Sequence, residues 1–182
     1  MANLITLARI ALIIPFCAFF LFDVSWGMKA AFIVFVIASL TDFLDGYVAR
    51  ARGEVSALGA ALDPLADKLL ISAALILLVR NGIIHDIGVI AVIIIILREI
   101  LVSGLREAVT AKGASLPVTS LAKWKTAAQL IAAGLLLAAA PLGFVGDLWR
   151  PFAAGALWLA ALLTFWTGAD YAYRAVQLLR ER

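Results

Sequence analysis

Hydrophobic and polar positions along the chain alternate in long blocks, not residue by residue. Apolar runs at 6–22, 28–47, 58–79, 83–101, 127–142 and 151–167 are separated by short polar breaks. Runs without a two-residue alternation predict helices, and these approach the roughly 17–25 residues that a helix needs to cross hydrocarbon. In lipid a spanning backbone must satisfy its own polar groups, which favours helices over irregular chain. The pattern therefore predicts an all-α integral membrane protein, a bundle of six transmembrane helices. The one long polar break, 98–126, contains Gly104, Gly113 and Pro117 and predicts a helix extension followed by a loop.

Composition and charge add a compartment and an orientation. The chain is 65% hydrophobic, with a mean hydropathy of +1.07. Its 182 residues suit one membrane domain, 1–182. With six spans both termini fall on one side, which collects Arg9, Arg50, Arg52, Arg98, Arg106, Lys112, Lys123, Lys125, Arg174, Arg180 and Arg182. The other side receives Lys29, Arg80 and Arg150. That asymmetry predicts a multi-pass cell (inner) membrane protein with N- and C-termini cytoplasmic. No basic run resembles a nucleic-acid patch, so nucleic acid is not an expected partner. The first run has no small-residue cleavage site and carries Arg9 within its helical pattern, which predicts a retained helix. A single cysteine, Cys17, and a single histidine, His85, exclude a disulfide framework and a thiolate or imidazole metal site.

Within this apolar background Asp42, Asp45, Asp63 and Asp67 fall in one 26-residue stretch. A charge at the bilayer centre costs about 2.5–3.5 kcal/mol on insertion scales, so four acids require neutralising cations. On a helix, Asp42, Asp45, Gly46, Ala49 and Arg50 form one stripe, and Gly59, Asp63, Ala66 and Asp67 a second. The polar break 51–56 predicts a short turn between antiparallel helices. Each stripe mixes carboxylates with residues of little side chain, leaving room for a bulky group beside dense negative charge. Carboxylates alone suit Mg²⁺ or Mn²⁺. Two such ions balance four acids, and paired ions stabilise attacking and leaving oxygens in phosphoryl transfer. Arg50, one turn from Asp45 and Gly46, is placed to hold a phosphate. The same acids also fit a structural polar cluster or the ion path of a cation transporter.

The order Asp42-x2-Asp45-Gly46-x2-Ala49-Arg50-x8-Gly59-x3-Asp63-x3-Asp67 resembles, at every specified position, the signature of the CDP-alcohol phosphotransferase family. The resemblance implies a six-helix membrane fold, a homodimer, and an active site facing the cytoplasm. It implies that Asp42, Asp45, Asp63 and Asp67 hold two Mg²⁺ or Mn²⁺ ions, and that Asp67 is also the general base. It further implies donor binding by Gly46, Ala49, Arg50, Ser56 and Gly59, the donor being CDP-diacylglycerol. The opening Asn3-x2-Thr6-x2-Arg9 is similar to one branch of the family, and there Thr6 and Arg9 would meet the donor's head group. A snorkelling anchor is the alternative for this polar face.

Segments 98–107 and 123–129 resemble the branch whose acceptor is sn-glycerol 3-phosphate, more than the inositol, serine or choline branches. The usual glycine before the first lysine of the second segment is replaced by Ala122. An acceptor phosphate needs cations, for which Arg98, Arg106, Lys123 and Lys125 are the candidates. Topogenic charge and contact with anionic lipid are the competing uses. Lys123 and Lys125, two apart, do not share a helix face. The expected reaction yields phosphatidylglycerophosphate and CMP. Inositol phosphate or phosphatidylglycerol are the alternative acceptors. Trp124 and Asp170 suit interfacial positions, and His85-Asp86 a solvated loop. Pro64 either kinks the third helix or opens its regular part with Asp63 as cap.

Overall fold

The computed structural model describes residues 2–21, 26–52, 57–116 and 120–180. In chain order they form α1 (Ala2–Leu21), α2 (Gly27–Arg52), α3 (Ala57–Arg80), α4 (Gly88–Ala111), α5 (Ser120–Ala138) and α6 (Arg150–Arg180). A single 3-10 turn, Asp147–Trp149, precedes α6. No strand occurs among the described residues. Each helix overlies one predicted apolar run, so the all-α expectation holds.

The helix ends differ from those runs for local reasons. The run from 83 begins within a turn, because Gly82 takes φ +67 and closes α3. The Ile83 and Ile84 amides both donate to Leu78 O, at 3.0 and 3.1 Å. Those two isoleucines therefore belong to the end of α3, and α4 starts only at Gly88. At its other end α4 continues ten residues past position 101, because Val102 and Val109 remain buried on its inner face. Gly113 at φ +74 stops it, with its amide on Thr110 O at 2.8 Å and that of Ala114 on Val109 O at 3.1 Å. The segment expected to run to 142 ends at Ala138, and Leu142 in the turn that follows adopts φ +62. Since α3 begins at Ala57, Asp63 and Pro64 lie inside it. Of the two readings of Pro64, the one in which Asp63 caps the start of the regular helix does not agree with these bounds.

The chain divides into two compact units. The first comprises Met1–Ile84 and Ala133–Ala153, the second His85–Ala132 and Ala154–Arg182. In the first, α1 packs against both α2 and α3. Phe16 stands edge-on to Phe20 at 5.3 Å and tilted to Phe35 at 6.0 Å between ring centroids. Around them Ala31, Ala38, Leu70, Ala74 and Leu78 are buried. Pro15 is accommodated within α1. In the second unit Val102, Val109, Leu116, Tyr171 and Ala175 form the apolar core.

Exposure runs opposite to that of a water-soluble protein. On α4 the large apolar side chains Ile90, Ile93, Leu97, Ile100 and Leu101 face outward, and on α6 so do Leu159, Leu162, Phe165 and Trp166. The charged Arg98, Glu99 and Lys125 are buried instead. In water such a surface would be an aggregation site, whereas in lipid it is the natural solvent-facing layer. The stretches Gly88–Ala111 and Asp147–Arg180 are long and apolar enough to cross a membrane, and Leu7–Leu21, Gly27–Thr41 and Trp124–Ala138 are shorter apolar helices. The chain is a membrane protein.

Candidate functional site

The acidic signature falls on the last turns of α2 and the first half of α3. Asp42, Asp45, Gly46, Ala49 and Arg50 are helical residues of α2, and Gly59, Asp63, Ala66 and Asp67 of α3. Helical register thus sets each group along one stripe, as the three- and four-residue steps require. The side chains of residues 42–64 and of Thr6 lie outside the described ones, and Ser56 lies outside the described residues altogether.

Asp67 is the described side chain of the acid set. Arg9 Nη1 donates to its Oδ1 at 3.3 Å, joining α1 to α3. Arg9 is 1% exposed, while the Asp67 side chain keeps 29% of its surface open. A snorkelling arginine would extend along the lipid-facing surface, and Arg9 instead turns inward to a signature aspartate. Ala66, the small residue beside Asp67 in the stripe, is fully buried. The donor set is all carboxylate oxygen and suits a hard divalent cation. Arg9 fixes the orientation of one of its members.

The second unit holds a buried polar cluster drawn from three helices. Glu99 Oε1 on α4 accepts from Lys125 Nζ on α5, from Arg98 Nη1 at 3.2 Å and from Gln129 Nε2 at 3.3 Å. Gln129 Nε2 also donates to Thr164 Oγ1 on α6 at 2.8 Å. Arg98 Nη2 donates to Thr167 Oγ1 at 3.2 Å, and its guanidinium carbon lies 5.7 Å from the centre of the Tyr171 ring. Thr167 in turn donates to the α6 backbone, at Leu163 O and Thr164 O. Arg98 Nε is buried and has no hydrogen-bond partner among the described residues. Gly168 makes room for the arginine stem, since a Cβ there would lie 2.6 Å from Arg98 Cγ.

Two cations, Arg98 and Lys125, share the Glu99 carboxylate in a buried setting. A phosphate, with oxygens for both an ammonium and a planar guanidinium, matches the donors.

Of the four candidate acceptor cations, the structure brings Arg98 and Lys125 together through Glu99. It leaves Arg106 exposed on α4, and the Lys123 side chain lies outside the described ones. Glu99, Gln129, Thr164, Thr167 and Gly168 were not singled out from the sequence. The available signals were an acid directly after Arg98 in an apolar run and two threonines three apart in another. Trp124 is exposed, Asp170 pairs with Arg174 at 3.0 Å, and His85 and Asp86 pair within an exposed turn.

Residues 1–166 match the family described as CDP-alcohol phosphatidyltransferase. A Bacillus subtilis protein named CDP-diacylglycerol–glycerol-3-phosphate 3-phosphatidyltransferase is 44% identical, over 93% of this chain and 91% of its own length. Proteins of the same name from Rickettsia bellii and Cereibacter sphaeroides are 38% and 33% identical, over 93% and 98% of this chain and 91% and 96% of their own.

Proposed function

The chain belongs to the CDP-alcohol phosphatidyltransferase family, and on that premise we propose the following reaction and the residues that carry it. The protein is a phosphatidyltransferase that moves the phosphatidyl group of CDP-diacylglycerol to sn-glycerol 3-phosphate, giving phosphatidylglycerophosphate and CMP. The observation that carries this reading is the match to relatives of that name at 33–44% identity along nearly the whole chain. The buried cations Arg98 and Lys125 agree with it, because they suit an acceptor that brings its own phosphate.

The family depends on divalent metal, and the aspartate set fits it. Asp42, Asp45, Asp63 and Asp67 would hold two Mg²⁺ or Mn²⁺ ions, which supply positive charge to the diphosphate oxygens as negative charge moves onto CMP. The chain's own residues do the rest. Gly46, Ala49 and Gly59 leave space for the cytidine and diphosphate of the donor, and Arg50 holds the diphosphate with Ser56 and Thr6 nearby. Arg9 orients the Asp67 carboxylate. Asp67 takes the proton from the acceptor hydroxyl as its oxygen bonds to the lipid-side phosphorus. The bond from that phosphorus to the CMP oxygen breaks, and CMP departs. Arg98 and Lys125 hold the acceptor phosphate, with Arg106 and Lys123 adding positive charge at the entrance.

The finer topology completes the reading: six spans, both termini and the active site at the cytoplasmic side of the inner membrane, and a homodimer. The deciding experiment measures CMP release by purified protein in detergent or nanodiscs against a panel of acceptors. Release that needs both a divalent cation and sn-glycerol 3-phosphate is expected. Release driven equally by inositol phosphate or phosphatidylglycerol would move the acceptor assignment. Cation flux without CMP release would point to a transporter.

A further inference from the structure

We propose that Glu99 is the positioning residue of the acceptor site. It gathers Lys125 from α5 and Arg98 from its own helix into one anion-binding pair, with Gly168 as the notch that admits the arginine. The inference rests on the reading of Arg98 and Lys125 as the cations for the acceptor phosphate.

Glu99 Oε1 is the point at which three donors converge: Lys125 Nζ, Arg98 Nη1 and Gln129 Nε2. Lys125 and Arg98 are like charges, and in a buried setting they would separate without an acid between them. Charge alone does not fix direction, and hydrogen bonds to the α6 hydroxyls supply it. Gln129 is tied to Thr164 at 2.8 Å, and Arg98 Nη2 to Thr167 at 3.2 Å. The guanidinium is thus held at Nη1 and Nη2, while Arg98 Nε is buried without a hydrogen-bond partner among the described residues. Gly168 lies against the stem of the same side chain. A Cβ at that position would stand 2.6 Å from Cγ and 3.3 Å from Nε of Arg98. The glycine therefore serves the arginine's path, and the carboxylate serves its spacing from the lysine.

A buried acid that only neutralised two cations for the sake of folding would affect donor and acceptor alike. A positioning acid acts on the acceptor alone. Glu99→Gln is expected to raise the KM for sn-glycerol 3-phosphate about tenfold, the scale of one lost charge-assisted hydrogen bond, with the KM for CDP-diacylglycerol changed less than about twofold. In the Lys125→Gln background the same substitution should add little, because the acid acts through that lysine. Gly168→Ala keeps every charge and displaces only the Arg98 stem, so it should give the same acceptor-specific signature. An unchanged acceptor KM in Glu99→Gln, equal shifts in both substrates, or full additivity with Lys125→Gln would each overturn the proposal. Should Glu99→Gln not accumulate as folded protein, Glu99→Asp decides. Its shortened carboxylate must raise the acceptor KM, and a wild-type KM there overturns the proposal. Wild-type protein run in parallel separates the two readings. If it does not use sn-glycerol 3-phosphate, the acceptor assignment has failed. If it does and the variants behave as wild type, only the role of Glu99 and Gly168 has failed.

Discussion

On α2 and α3 four aspartates recur at helical steps within 26 residues of chain, whereas the buried cluster of α4, α5 and α6 joins residues as far as 69 apart. The first gathers acids of one chemistry, with Arg9 against Asp67 as its described cation. The second gathers two cations around one acid, Glu99. A site for metal ions needs several ligands of one chemistry at fixed spacing, which one or two helices supply. A site for an acceptor's phosphate needs a few donors aimed from several directions, which favours separate helices. The difference predicts that damage to the acidic helices stops the reaction, while damage to the cation cluster weakens use of one substrate.

Removal of metal should give the largest effect. Incubation with excess chelator is expected to abolish CMP release, and added Mg²⁺ or Mn²⁺ to restore it. Residual activity after exhaustive chelation would remove the metal role of the aspartates. Close behind comes Asp67→Asn, which keeps an oxygen ligand and the volume but loses the base. Turnover should fall by about 10³-fold or more while CDP-diacylglycerol remains bound, as measured by ligand protection of the purified protein against heat. Near-normal turnover would transfer the proton to another acceptor. Arg9 sharpens the same side of the comparison. Arg9→Met breaks the 3.3 Å contact with Asp67 and leaves a buried apolar side chain in its place. A drop of about 10²-fold in kcat is expected, because a misdirected base loses most of its benefit. An effect confined to expression would make Arg9 a folding residue.

The same contrast explains what was legible in the sequence. The apolar runs announced all six helices, since long runs without a two-residue alternation are displayed directly by the sequence. Asp42 to Asp67 announced their stripes, because each spacing is a helical period on a single element. Helix ends were less visible. Gly82 and Gly113 terminate helices through positive φ, yet Gly104 lies in mid-helix with open space around it. Glycine alone did not separate the cases. Glu99 was hidden for a different reason. Its partners Arg98, Lys125 and Gln129 come from two helices, and the Thr164 and Thr167 hydroxyls that brace them from a third. Their meeting is a matter of helix packing, which no local period encodes. Arg9 was visible as a polar residue in an apolar run, but its use depended on which way it faced.

On the cationic side, Lys125→Gln should lower kcat/KM for sn-glycerol 3-phosphate about thirtyfold, chiefly through KM, with the donor KM nearly unchanged. Lys125 is 4% exposed and bonds Glu99, so the substitution removes a directed donor from a buried place. Equal loss for donor and acceptor would break the division between the two regions.

Arg106 supplies the smallest and most discriminating effect. It lies on α4 two helical turns beyond Arg98, but it is exposed where Arg98 is buried. Charge in contact with water is screened over roughly 8–10 Å at moderate salt, whereas a buried donor keeps its strength. An exposed arginine at a site's entrance therefore acts on the approach of an anion more than on its seating. Arg106→Ala is expected to lower kcat/KM for sn-glycerol 3-phosphate about threefold at low ionic strength, and by less as salt is raised. Lys125→Gln should retain its defect in the same titration, since its loss is local and directed. The ratio of glycerol 3-phosphate to glycerol turnover provides a second measure, because only the phosphorylated acceptor is steered. If Arg106→Ala loses as much as Lys125→Gln and the loss is insensitive to salt, the arginine touches the bound phosphate. The acceptor site would then extend along the surface of α4, beyond the buried cluster.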